Sequence, residues 1–206
     1  MKRCFLLLLC GILLLSLAAC GKSDPSAPSP VTSDGTPSSG STSTEPERQR
    51  STLVVYFSAT GSTRQVAEVI AAETGGNLFE ITPAVAYSSN DLSWSNPDSR
   101  VCREHNDQNR SIPLTTVAVP DWESYDTVYI GYPIWWGGAA FPVETVVKET
   151  DFTGKAVIPF CTSASSRLGN SAKELADLCG TGSWQTGQRF SNSIDVAAIR
   201  KWVATQ

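Results

Sequence analysis

Apolar runs and polar loops alternate along the chain from residue 52 to residue 206. The apolar runs TLVVYFS (52–58), NLFEITP (77–83), YDTVYIGYP (125–133) and KAVIPFCTS (155–163) predict four strands, and WQTGQRFS (184–191) is interpreted as a short fifth strand. The first run has no alternation of apolar and polar residues, which is typical of a strand buried on both faces of a parallel sheet.

Helical spacing follows these strands. Apolar residues at 66–70 predict a helix that the glycines at 75 and 76 end. Further helices are predicted at FPVETVVKET, with Pro142 at its first position, at 171–178 before Gly180, and at 195–206 with Ser193 or Asp195 as the cap. Residues 84–123 are polar with scattered prolines, and they predict a long, partly helical excursion.

Repeated strand–loop–helix units favour right-handed crossovers and a parallel sheet covered by helices on both faces. Ligands of such sheets bind at the carboxyl ends of the strands. The loops SATGST (58–63), PIWWGG (133–138) and TSASSRLG (162–169) leave the carboxyl ends of the first, third and fourth strands. We therefore expect these three loops to lie side by side above the sheet.

The first loop has the chemistry of a phosphate site. Hydroxyls at Ser58, Thr60, Ser62 and Thr63 accompany backbone N–H groups at a helix start, and Gly61 permits a close approach or a positive φ. The alternative is an ordinary capped turn, since loops rich in Ser and Thr before helices are common.

The second loop contains two adjacent tryptophans, Trp135 and Trp136, between glycines and a proline. An indole can stack on a planar heterocycle and exclude water from it. The alternative is that both residues cover a sheet edge or an interface. The small residues of the third loop allow a backbone to run along a flat ring, so the three loops together predict a site for a phosphorylated planar cofactor.

The first fifty residues have a different composition. Lys2 and Arg3 precede an apolar run that ends in LAAC, and this layout predicts a signal peptide over 1–19. LAAC resembles the bacterial lipobox, which implies lipidation of Cys20; a plain signal peptide with an unrelated cysteine is the alternative. The rest of 20–50 is rich in Ser, Thr, Pro and Gly and predicts a flexible linker to a domain at 51–206.

Charge and cysteine spacing exclude some functions. The net charge of −4 argues against a nucleic-acid partner. Cys102, Cys161 and Cys179 show no CxxC spacing, so we expect no metal site, although an exported domain could pair two of them. The single histidine, His105, is interpreted as a surface residue, and no catalytic side chain is proposed.

Three segments carry a resemblance to a known family. YFSATGSTRQVAE, GYPIWWGGAAFPVETVV and GKAVIPFCTSASSRLG resemble the FMN-binding segments of the flavodoxin-like family, in its flavodoxin and NAD(P)H oxidoreductase branch, and the resemblance covers 52–203. It implies a doubly wound, five-stranded parallel sheet of order 2-1-3-4-5 with helices on both faces, and FMN as the cofactor.

The resemblance also implies the roles of individual residues. The 5′-phosphate is expected at Ser58, Thr60, Gly61, Ser62 and Thr63. The isoalloxazine ring is expected against Pro133, Ile134, Trp135, Trp136 and Gly137, with Trp135 in direct stacking. A second wall is expected from Thr162, Ser163, Ala164, Ser165 and Ser166, where relatives often carry a glycine-rich TSGGSG-like loop instead.

The predicted function is an FMN-binding redox protein, lipid-anchored to the cell membrane on its extracytoplasmic side. It either transfers electrons with a partner protein or performs an NAD(P)H-linked reduction of a small acceptor such as a quinone. The alternative is a non-catalytic lipoprotein binding module that keeps the fold without a redox function.

Overall fold

A computed structural model describes residues 51–206 of the chain. The predicted signal peptide at 1–19, Cys20 and the predicted linker lie outside the described residues. The strands are β1 Thr52–Tyr56, β2 Asn77–Glu80, β3 Thr127–Trp135, β4 Gly138–Ala139, β5 Ala156–Ser163, β6 Ser183–Trp184 and β7 Gln188–Ser191. The helices are α1 Ser62–Thr74, α2 Arg100–Asn106, α3 Phe141–Glu149, α4 Ser171–Cys179 and α5 Val196–Val203.

The sheet has β3 at its centre, between β1 and β5. Its strands run in the order β2-β1-β3-β5-β6, and all neighbours in this series are parallel. Four of the five residues of β1 are buried, as its continuous apolar sequence predicts for a strand covered on both faces.

Helices cover both faces of the sheet. Leu53 and Val55 point to one face, where they pack in a core with residues of α3 and α4 such as Val143 and Leu175. Val54 and Tyr56 alternate to the other face, where the core is completed by residues of α1 and α5, including Val66, Ile70 and Ile199. The predicted class, a parallel α/β sheet between two helical layers, is therefore confirmed.

The helix boundaries follow local chemistry. Gly75 and Gly180 end α1 and α4 with φ of 66° and 72°, a left-handed conformation that glycine adopts without steric cost. Asp195, rather than Ser193, caps α5, because its side chain accepts a hydrogen bond from the backbone N–H of Ala198. α3 begins at Phe141, one residue before the predicted Pro142.

The fifth predicted strand is two short strands, β6 and β7, which both pair with β5. The chain takes four residues from Trp184 to Gln188, while their partners on β5 are three residues apart. Gly187 lies in this break, and a Cβ there would come within 2.7 Å of the Pro159 carbonyl oxygen. A glycine packed on a residue without an N–H donor therefore interrupts the ladder.

The excursion at 84–123 contains α2 and one 3₁₀ turn, Trp122–Ser124. Its later part folds back beside its start, because the Thr115 N–H donates to the Thr82 carbonyl over 2.9 Å. Arg100 and Glu104 of α2 form an ion pair of 2.6 Å, and Glu104 also accepts a hydrogen bond from the Tyr87 hydroxyl. Within 51–206, no helix has the length and apolar character needed to cross a bilayer.

Candidate functional site

The three predicted loops converge at the carboxyl edge of the central strands. The Phe57 N–H donates to the Gly131 carbonyl over 3.0 Å, so the end of β1 is held beside β3. On the other side of β3, Pro133 is the register partner of Thr162. The Thr63 and Thr162 hydroxyls are 2.8 Å apart and buried, which links the first loop directly to the third.

The first loop turns sharply into α1. Gly61 has φ of 93°, and the space where a Cβ would stand is open to 4 Å. The Gly61 N–H donates to the Ser58 hydroxyl over 3.1 Å. The first N–H groups of a helix lack partners within it, and the first turn of α1 carries no acidic residue. This is an arrangement that can accept an anion.

The hydroxyls of this loop differ in accessibility. Thr60 is exposed, Ser58 and Ser62 are half-buried, and Thr63 is buried against Thr162. Arg64, although next to these residues, forms an ion pair with Glu80 on β2. The donors that remain available to a phosphate are therefore the hydroxyls of Ser58, Thr60 and Ser62 and the N–H groups at the start of α1.

The second loop is a tight hairpin between β3 and β4. Trp136 and Gly137 both have positive φ, 48° and 85°. For a residue as bulky as tryptophan this conformation is unfavourable, and such strain is frequent at binding sites. The turn orients the two tryptophans differently, although they are adjacent in sequence.

Trp135 packs inward. Its ring makes edge-to-face contacts with Phe57, Tyr87 and Phe141, at centroid distances of 5.6, 5.4 and 5.3 Å. Trp136 remains 45% exposed and stacks on His105 at 4.4 Å with an angle of 8° between the rings. Direct stacking of Trp135 on a cofactor remains a prediction, and the contact of His105 with Trp136 is one that its sequence context did not indicate.

A cleft of about 330 Å³ lies between the hairpin and the excursion. Its volume falls within the range of about 300–1,000 Å³ that is usual for small-molecule sites. Six of the residues that line the cleft belong to the first two loops: Ala59, Thr60, Pro133, Ile134, Trp135 and Trp136. Three further residues come from the excursion: Leu92, Trp94 and Val101.

Sequence reasoning missed these three excursion residues. Trp94 is 76% exposed, which is unusual for a tryptophan, and it stands in a polar segment without periodicity. An isolated large apolar residue in such a segment was the available signal, but nothing local assigned it to the cleft.

The third loop is placed beside the cleft rather than in its lining. Thr162 and Ser163 are buried at the end of β5, whereas Ala164, Ser165 and Ser166 are exposed. Because Thr162 is the neighbour of Pro133, the loop stands one strand away from the cleft wall. Its role as a second wall remains a prediction.

A second cavity of about 440 Å³ lies on the other side of the tryptophan hairpin, towards α3 and α4. It shares Trp135 and Trp136 with the cleft and is bordered by charged side chains. Among these, Arg110 pairs with Glu144 over 2.5 Å and lies over the Phe141 ring at 4.2 Å. The guanidinium and carboxylate thus largely neutralise each other.

Titratable groups near the strand ends favour their neutral forms. Burial raises the pKa of the Tyr132 hydroxyl, which is 3.1 Å from the Ser171 hydroxyl. Burial also raises the pKa of the Cys161 thiol to about 12. Cys102, Cys161 and Cys179 are free thiols. Among residues 51–206 no cluster of His, Cys, Asp and Glu could hold a metal ion.

The donors and the cleft fit a phosphorylated planar group. Hydroxyls and helix N–H groups suit a phosphate, and the adjoining cleft is lined mainly by apolar and aromatic side chains.

Comparison with known proteins finds a flavodoxin family model and solved structures of flavoproteins. The flavodoxin family model matches residues 51–206. A protein from Bacteroides eggerthii DSM 20697, assigned as a flavoprotein, is 40% identical with a TM-score of 0.69, and the match covers 75% of this chain and 96% of that one. A similarly assigned protein from Bacteroides uniformis ATCC 8492 is 37% identical with a TM-score of 0.71, over 75% and 98% of the two chains.

A more distant structure shows the same fold. The flavoprotein of Lactobacillus acidophilus NCFM in complex with FMN is 23% identical with a TM-score of 0.54, and the match covers 74% of this chain and 98% of that one. None of the curated proteins searched matches the chain.

Proposed function

The chain belongs to the flavodoxin family, and from this premise we propose that it is a redox protein with FMN as its cofactor. The observation that carries the proposal is the position of the first loop. Its hydroxyls and the start of α1 adjoin an apolar cleft lined by Trp135 and Trp136, so one site offers a phosphate cradle and a surface for a planar ring. The FMN complex of the Lactobacillus acidophilus relative supports the same cofactor.

The residues of the site would have separate tasks. Ser58, Thr60 and Ser62 would donate hydrogen bonds to the phosphate, with the positive end of the α1 dipole adding to its stabilisation. Trp135 and Trp136 would hold the ring and exclude water from it. When bound, FMN supplies the transfer of one or two electrons, and the protein sets the affinity and the potential.

The acceptor and the cellular location extend this proposal. Electrons pass either to a partner protein or, with NADH or NADPH as the donor, to a small acceptor such as a quinone. Support for a lipid anchor at Cys20 is the lipobox-like LAAC sequence and the Ser/Thr/Pro-rich segment that follows. Such an anchor would hold the domain at the extracytoplasmic face of the membrane.

Binding of the cofactor can be tested with the full chain extracted in mild detergent. We expect a flavin absorption band and quenching of FMN fluorescence on titration. Riboflavin, which lacks the phosphate, should bind at least about 100-fold more weakly, since each charge-assisted hydrogen bond contributes about 1.5–3 kcal/mol. Absence of both signals would refute the proposal and leave the non-catalytic binding module.

A single substitution tests the phosphate cradle. Thr60→Ala removes an exposed hydroxyl, so it should weaken FMN binding about tenfold, the equivalent of one hydrogen bond to a charged group. It should weaken riboflavin binding much less, because riboflavin has no phosphate and loses only the contact with the Thr60 methyl in the cleft. Thr186→Ala, an exposed threonine between β6 and β7, serves as the matched control. Equal effects on FMN and riboflavin would contradict the assignment of Thr60 to the phosphate.

Two further measurements separate the finer possibilities. Reduction of the bound flavin by NADH or NADPH indicates an enzyme, whereas a carrier accepts electrons only from a protein donor. Cys20→Ser should abolish labelling by fatty acid, because it removes the thiol to which the lipid would be attached. Retention of the label in that variant would contradict the lipobox.

A further inference from the structure

Arg189 connects the last strand to the third loop. It lies on β7, where it is the register partner of Cys161 on β5. Its side chain reaches beyond the end of β5. Nε donates to the Ser163 hydroxyl over 3.1 Å, and Nη2 donates to the Ser163 and Ala164 carbonyls over 2.7 and 3.1 Å.

These bonds act on a segment with few other restraints. Ala164, Ser165 and Ser166 are exposed, and the turn is closed by a hydrogen bond from the Ser163 hydroxyl to the Ser166 carbonyl. The same hydroxyl accepts the bond from Arg189. The guanidinium thus fixes both the backbone and the hydroxyl at the start of the loop. Its planar fork of donors can do this, whereas a lysine ammonium cannot reproduce the geometry.

Within residues 51–206, no carboxylate forms an ion pair with Arg189. Its three acceptors, one hydroxyl and two carbonyls, are neutral, and its side chain is only partly exposed. Ser163 follows Thr162, the neighbour of Pro133 in the cleft wall. With adjacent strands about 4.8 Å apart, the guanidinium stands on the order of 10 Å from the cleft. A charge at this distance and partly out of water still acts on a ligand in the cleft.

We propose that Arg189 is a positioning residue for the flavin site and also raises the reduction potential of the bound flavin. The proposal rests on FMN binding as set out above. Two-electron reduction adds negative charge to the ring unless protons neutralise it completely, so a nearby fixed positive charge favours the reduced form. The three hydrogen bonds keep that charge and the Thr162–Ser166 segment in one arrangement.

Three variants of the full chain separate geometry from charge. Arg189→Gln removes the planar guanidinium donors and the positive charge, whereas Arg189→Lys removes the planar donors but keeps the charge. Arg167→Gln is the matched control, because it removes one positive charge from an exposed position of the same loop. For each, the dissociation constant of oxidised FMN, the two-electron midpoint potential of the bound flavin and the thermal midpoint of the FMN-free chain are measured.

We expect Arg189→Gln to weaken the binding of oxidised FMN about tenfold and the binding of reduced FMN about 100-fold. The tenfold difference corresponds to a fall of about 30 mV in the midpoint potential. Arg189→Lys should also weaken FMN about tenfold, but equally in both redox states, so its potential stays at that of the unmodified chain. Arg167→Gln should change each affinity by less than about twofold.

The outcomes are distinguishable. If the unmodified chain binds no FMN, the proposed function fails and this inference with it. If the chain binds FMN but Arg189→Gln behaves like Arg167→Gln, only the inference fails. If affinity falls without any change of potential in Arg189→Gln, the electrostatic part is overturned. Should the Gln variant not fold, Arg189→Lys decides, because a weakened affinity with an unchanged potential supports the proposal and an unchanged affinity contradicts it.

Discussion

The hydroxyl pair of Thr63 and Thr162 offers a direct test of how the site is assembled. These residues are 99 positions apart in sequence, yet their oxygens are 2.8 Å apart. Both side chains are buried, with exposures of 1% and 2%. Replacing either by valine keeps the branched shape and removes only the hydroxyl, so the hydrogen bond is the variable.

The expected size follows from burial. When one hydroxyl is removed, the other remains in the protein interior without its partner, which costs about 1–3 kcal/mol of unfolding free energy. Removing both hydroxyls leaves no orphaned group, so the double variant should lose less than the sum of the single variants. For a domain of this size, each kcal/mol corresponds to about 2–4 °C in the unfolding midpoint.

The assay is urea unfolding of the FMN-free chain for Thr63→Val, Thr162→Val and the double variant, analysed as a double-mutant cycle. Thr186→Val, at an exposed position, is the control and should remain within about 0.5 kcal/mol. Unchanged midpoints in both single variants, or strictly additive losses in the double variant, would refute the view that this bond ties the first loop to the third.

Three further predictions concern stability and reactivity. Gly131→Ala should lower the unfolding free energy by about 3 kcal/mol or more, because a Cβ there would come within 2.1 Å of the buried Phe160 ring, and calorimetry checks this. Cys161 should resist alkylation in the folded chain at pH 8, because the thiol is fully buried and its burial raises the pKa to about 12. Rapid labelling seen by mass spectrometry would contradict this. Hydrogen bonds from the Ser88 hydroxyl and N–H lower the pKa of Asp91. The ionised Asp91 carboxylate therefore stabilises the fold above its ordinary pKa of 3.8, and this stabilisation is lost as the pH falls through the lower pKa of the folded chain. NMR titration of the Asp91 carboxyl should show a midpoint below that of an unfolded peptide.

The sequence alone determined the class of fold. Strands that are buried on both faces need continuous apolar runs, and such runs mark β1, β3 and β5 directly in the sequence. Helix ends such as Gly75 and Gly180 were equally readable, because a left-handed residue after a helix favours glycine whatever surrounds it. These signals are local, so one chain suffices to read them.

The neighbourhood of the three loops also followed from sequence, through topology. Parallel strands place their carboxyl ends at one edge, so the loops after β1, β3 and β5 had to be neighbours. The contacts of Thr63 with Thr162 and of Pro133 with the same residue agree with that expectation. The break between β6 and β7 did not follow, because it depends on Gly187 meeting Pro159 on another strand.

The orientation of the two tryptophans and the contribution of the excursion to the cleft followed only from the packed structure. Trp135 and Trp136 are equivalent in sequence, and it is the left-handed turn at Trp136 that directs one into an aromatic cluster and leaves the other exposed beside His105. Trp94 reaches the cleft from an excursion without periodicity. Backbone preference and periodic burial depend on each residue and its neighbours in sequence, whereas contacts between distant segments depend on how those segments pack.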